Sequence, residues 1–164
     1  MKQEALFING VYEEVLREIL SVQAELPEQI LFLQPFSSGA ISRLRDEAPT
    51  VDDPMQLFIS VTTDLPTVEF TAEIVGWDDK RHLSDARRRV LSRLIWTLQP
   101  NEGGLYDATK VEGAQSVNLL HIRRLRELEP PFPVSQLIKT SDQLPVSEGR
   151  TTAGGWAYVR NRTV

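Results

Sequence analysis

The chain has no cysteine among its 164 residues. Disulfides, thiolate catalysis and cysteine-based zinc sites are thereby excluded, and a reducing, cytoplasmic location is the expectation. Histidine is almost as scarce: His82 falls in a turn and His121 in a strand, with no spacing that suits metal ligation. Neither a G-x-S-x-G elbow nor a P-loop occurs. The stretch "EGRTTAGG" (Glu148 to Gly155) is glycine-rich but lacks the lysine of a phosphate cradle and precedes a strand rather than a helix. No window approaches the roughly 18–20 apolar residues of a membrane span. The first residues, "MKQEALFING", have neither the apolar run nor the small-residue cleavage pattern of a signal peptide. The expectation therefore leans away from an enzyme: no catalytic residue, no metal, no cofactor and no membrane partner.

What remains is an ordinary globular composition, 41% hydrophobic and 25% charged, with ten prolines spread along the chain, which argues against disorder. The length suits one well-buried core. The net charge of −5 hides an asymmetry. Residues 1 to 79 hold four Lys/Arg against fifteen Asp/Glu, whereas residues 80 to 164 hold fourteen against eight, so an anionic partner would meet the second half.

Apolar positions at three- and four-residue spacing, Val11, Val15, Ile19, Val22 and Leu26, predict an amphipathic helix from Asn9, read as its N-cap, to Leu26 before Pro27. Ile30 to Leu33 is short and wholly apolar, a strand buried on both faces. It empties into "QPFSSG", and a short helix follows with Ala40, Ile41 and Leu44 inward. Met55 to Thr63 and Thr67 to Trp77 are β-branched and aromatic, joined by "DLP", and predict an antiparallel hairpin with Val68, Phe70, Ala72 and Ile74 inward and Glu69, Thr71 and Glu73 on a wet face. A second helix starts at Ser84-Asp85, turns Val90, Leu91, Leu94, Ile95 and Leu98 inward, and stops at Pro100. A strand over Ser116 to Ile122, an extended segment into a helical turn near Val134 to Ile138, and a last strand over Trp156 to Val159 complete the pass.

The order of these pieces resembles the PUA-like barrel superfamily, and within it the EVE and ASCH domains. The resemblance is carried by "ILFLQP" into a short helix, "LFISVTT" paired with "TVEFTAEIVGW", a middle helix, "SVNLLHIRRLREL" followed by "PPFPVSQL", and a closing "GGWAYV". It implies an α+β fold, a small mixed β-barrel with flanking helices over residues 30–164, and an added N-terminal helical extension over residues 1–29. The chain departs from the ASCH pattern G-x-K-x-x-E-x-R: Gly39 is followed by "AISRLRD", so no hydrolytic chemistry carries over.

The resemblance further implies binding of RNA, or of a modified DNA or RNA base, in a pocket beside the barrel. Such a pocket needs aromatic walls to stack on and amides or hydroxyls for the base edge. On this chain the walls would be Phe36, Trp77 and Trp156, and the polar floor Gln34, Ser37, Ser38, Thr62 and Thr63. Arg87, Arg88, Arg89, Arg93, Arg123, Arg124 and Arg126 provide charge for the nucleic-acid backbone. Trp96 lies roughly 170° from the apolar stripe of its helix, beside Arg89 and Arg93. A second reading is therefore an assembly module, a homodimer through the N-terminal helix and Trp96. A third is a small-molecule hydrolase of the ASCH kind.

Overall fold

A computed structural model of the chain describes residues 1–33, 43–96, 118–149 and 155–164, with Lys80, residues 92–96 and Asn118 described by their backbone alone. The fold is α+β. Among the described residues the strands are β1 (Glu4–Val11), β2 (Leu31–Leu33), β3 (Met55–Val61), β4 (Thr67–Asp79), β5 (Asn118–Pro133) and β6 (Gly155–Arg160). They form one curled six-stranded half-barrel sheet in the order β2-β5-β4-β3-β1-β6. The helices are α1 (Glu13–Glu25), α2 (Leu44–Glu47) and α3 (Asp85–Trp96). Neighbouring strands run antiparallel except β1 and β3. That parallel pair requires the crossover that α1, β2 and α2 supply.

The N-terminal segment differs from its sequence reading. The helix begins at Glu13, with Tyr12 at its N-cap, and residues Glu4–Val11 are a strand inserted between β3 and β6. The sheet thus draws on residues on both sides of position 29. Ala5, Leu6, Phe7 and Ile8 are all buried, so both faces of β1 are covered and no alternation marks it as a strand. Asn9 is a fully buried strand residue rather than a cap. Gly10, at φ 84°, takes the left-handed conformation at the register slip between Asn9 and Val11, and its N–H donates to Ser60 Oγ at 3.1 Å.

Both faces of the sheet carry a core. Val15, Leu16 and Ile19 of α1 cover one face, packing with Leu6, Leu57, Ile59, Phe70 and Ile122. The apolar stripe of α1 is therefore used inside the chain, while its end residue Leu26 is exposed. On the opposite face, Phe7, Phe58 and Val159 meet Phe132, near the end of β5, and Val134, Leu137 and Val146 from the segment that follows it. Phe32 and Leu119 meet Leu91 of α3 at a third, smaller contact. Each such fully buried side chain is worth about 1.5–3 kcal/mol relative to exposure.

Phe70, Ala72 and Ile74 face the α1 core as the alternation of β4 predicts, but Val68, beyond a register slip, packs on the opposite face beside Phe132, and Thr71 is buried too. The face expected to be wet is itself roofed by the Phe132–Val146 segment, and Thr71 Oγ1 satisfies itself on Leu57 O at 2.9 Å. Of the residues expected inward on α3, Leu91 makes the contact, whereas Val90 is 46% exposed. Strand β5 also runs on from Ile122 to Pro133, absorbing the extended segment into one ladder with β4 that slips register at three places.

Candidate functional site

Trp156 forms a wall of a cleft of about 330 Å³ at the β6 edge, together with Arg43, Lys139, Thr140, Ser141 and Tyr158. Local hydrogen bonding explains the arrangement. Thr140 N donates to Tyr158 O at 3.0 Å and Arg160 N to Ile138 O at 2.9 Å, so the turn carrying Lys139, Thr140 and Ser141 is clamped along β6. Trp156 meets Tyr158 edge-on, with ring centroids 5.9 Å apart and planes at 78°, an arrangement that fixes the indole. The Arg43 guanidinium lies 5.3 Å over the Tyr158 ring and pairs with Glu4. Lys139 Nζ is 2.9 Å from Asp142 Oδ2. Burial pushes the Tyr158 phenol up to about 12, so it stays neutral and accepts from the Arg43 amide at 3.3 Å.

Of the expected aromatic walls, Trp77 and Trp156 are not brought together. Trp156 pairs with Ile8, Ile8 with Ile59, and Ile59 with Phe70. Trp77 lies about 23 Å further along β4 at ~3.3 Å per residue. There it pairs with Leu120, and Leu120 with Leu33, the residue before Gln34. Trp77 is partly buried against the α1 core with its indole N–H buried and unbonded, the position of a core edge rather than a stacking platform. Thr62 and Thr63 follow β3 at the opposite end, where Thr62 N donates to Val11 O at 3.1 Å, so they do not face the Leu33 end. Gln34, Phe36, Ser37 and Ser38 lie outside the described residues, as do the side chains of Arg93 and Trp96.

The arginines expected to meet nucleic acid divide in two. Arg87 donates to Asp78 at 2.9 Å, and Asp78 Oδ2 is also 2.7 Å from His121 Nε2. Burial raises the Asp78 carboxyl, but His121 and Arg87 outweigh it and hold it below its ordinary value. Arg123 Nε donates to Glu73 at 2.7 Å and its Nη2 to Val51 O at 2.9 Å. These two arginines serve the fold, tying α3 and the Val51 loop to the sheet. Arg88 is half-buried, and Arg89 is exposed with Nε 3.4 Å from Asp85 O. Arg124, shared between Glu28 and Glu73, and Arg126 border a second cleft.

Arg43, Lys139, Thr140 and Ser141 were not legible as site residues, because the cleft joins three segments remote in sequence. The only local signal was the cation–hydroxyl–hydroxyl triplet at 139–141, one residue past the predicted turn. Among the described residues no group of three or more His, Asp or Glu side chains is placed to hold a metal ion. No described helix is long and apolar enough to cross a membrane. Comparisons with protein-family models, curated proteins and solved structures found no match to the chain.

Proposed function

We propose that the chain is a non-catalytic nucleic-acid-binding domain of the PUA-like type, taking a base of RNA, or a modified base of RNA or DNA, into the Trp156 cleft. The observation that carries the reading is the composition of that cleft: two aromatic side chains, Trp156 and Tyr158, two cations and the hydroxyls of Thr140, Ser141 and Tyr158 in about 330 Å³. A base stacked on the indole gains about 1–3 kcal/mol. Ser141 and Thr140 offer hydroxyls to its edge, and Arg43 and Lys139 draw the flanking phosphates. The curled mixed sheet agrees with the resemblance drawn from the order of motifs, although that resemblance spoke of a floor at Gln34 and Thr62 rather than at Thr140.

The test is a gel shift at several salt concentrations with modified and unmodified oligonucleotides, wild type against Trp156→Ala. Binding that weakens with salt, and about tenfold or more with the substitution, is expected. Absence of binding to any oligonucleotide at low salt would sink the reading.

A further inference from the structure

Beside the Trp156 cleft, β6 leaves one residue of its outer edge uncovered. In the regular antiparallel ladder from Glu4↔Arg160 to Asn9↔Gly155, the main-chain N–H and C=O of a residue point to the same side, and the side alternates along the strand. Asn161 N donates to Gln3 O at 2.8 Å, which turns the odd positions toward β1. Thr140 N donates to Tyr158 O at 3.0 Å and Arg160 N to Ile138 O at 2.9 Å, which turns the even positions away from β1, toward the 138–140 segment. That segment bridges Val159 through Lys139, and the chain then turns off at Ser141. Trp156 is the even residue of β6 that it does not reach. Among the described residues, the Trp156 amide and carbonyl therefore face outward at the cleft with no main-chain partner.

Ala157 also borders the cleft, although its methyl packs with Phe7 and Val159 on the far face of the sheet, so strand main chain forms part of the wall. The polar side chains there are committed or adaptable. Thr140 Oγ1 donates to Glu4 at 3.0 Å and to Tyr158 O at 3.3 Å, so it meets a ligand as an acceptor only. Arg43 and Lys139 hold Glu4 and Asp142. The Ser141 hydroxyl rotates to suit a donor or an acceptor and prefers neither. The Trp156 pair is fixed: one donor and one acceptor, held by the strand, on the residue whose ring offers the stacking face. An uncovered edge one residue long is too short for an added strand. It fits one planar ligand edge on which a donor stands beside an acceptor.

We infer that the main-chain N–H and C=O of Trp156 read the Watson–Crick edge of the base stacked on its indole. The cleft then takes only unpaired bases, from a single strand or extruded from a duplex. This assignment rests on the base-binding reading of the cleft and names its ligand more closely. Every standard base offers a donor beside an acceptor on that edge, so the pair admits several bases and excludes any whose edge is paired or alkylated.

Two measurements test it. In the free protein, amide hydrogen exchange followed by NMR should show Trp156 exchanging much faster than Ala157 and Val159, whose amides face β1. Fluorescence anisotropy then compares single-stranded oligomers of adenine and of uracil with their neutral blocked counterparts, N6,N6-dimethyladenine and 3-methyluracil, on wild type and Ser141→Ala. Each blocked oligomer is expected to bind about tenfold or more weakly than its parent, by the same ratio in both proteins. Annealing a parent to its complement should weaken it likewise. A Trp156 amide protected in the free protein, equal affinity for parent and for blocked or paired oligomers, or a ratio that vanishes in Ser141→Ala overturns the inference and leaves stacking on Trp156 standing. Binding of no oligomer overturns the base-binding reading, and the inference with it.

Discussion

Gly76 lies beneath the His121 ring so closely that a Cβ at position 76 would stand 2.9 Å from Nδ1. The ring is held from its other sides by Phe32, edge-on at 5.0 Å, and by Asp78 at 2.7 Å. It has no room to yield. Gly76→Ala is therefore expected to cost about 1–3 kcal/mol through overpacking. At roughly 2–4 °C per kcal/mol for a chain of this size, the melting temperature should drop accordingly. An unchanged melt would show that the ring can turn aside.

Asp78 ties α3 to the sheet through Arg87 and His121, and its carboxyl is held below its ordinary value near 3.8. The folded state thus binds this proton less readily than the unfolded chain. The contribution is complete above about pH 4 and is lost as pH falls through the depressed value. Asp78→Asn should cost about 1–2 kcal/mol near neutrality. Urea denaturation at a series of pH values should show the gap between wild type and variant closing in acid; a gap independent of pH would refute the linkage.

Glu69 has the opposite sign. Burial, then the carboxylates of Asp64, Glu13 and Glu127, raise its proton affinity above the ordinary value near 4.5. An acid raised in the folded state weakens the fold at neutral pH and relaxes as pH falls and it takes its proton. Glu69→Gln should therefore stabilise the protein by roughly 0.5 kcal/mol near neutrality. Thermal melts should show a gain of about 1–2 °C that disappears in acid.

Asn9 is fully buried, and neither Oδ1 nor Nδ2 has a hydrogen-bond partner. A buried amide left unbonded costs about 1–3 kcal/mol. Asn9→Leu, close to it in shape, should recover much of that. Chemical denaturation is the check, and a destabilised variant would indicate that the pocket around position 9 is shaped for the amide.

The elements that could be read from the sequence are those with one wet face or one strong period. The stripe of Val15 and Ile19 located α1, and Val68 to Ile74 located β4, because burial and periodicity coincide there. Ala5 to Ile8 showed no period, because both faces of β1 are covered, and the Asn9-Gly10 pair mimics a helix start. Of the candidate site, Trp156 was legible as an aromatic on a short strand after glycines. Its partners Arg43 and Thr140 were not, since strand pairing and the 139–142 turn bring them there from distant parts of the chain. Trp77 was misleading for the converse reason: composition marks a tryptophan at a strand end, but only the pairing of β4 with β5 and β2 shows which end.

The position of β1 between β3 and β6 has a consequence for folding. Leu6 pairs with Leu57 on one side and with Tyr158 on the other, so one edge of β1 finds its partner only when almost the whole chain is in hand. Until then Ala5 to Ile8 present a flat, apolar strand edge with unpaired main-chain groups, the kind of surface on which chains join one another. A nascent chain that stalls before β6 is emitted should thus be sticky, and the protein should depend on helpers that shield strand edges while it is being made.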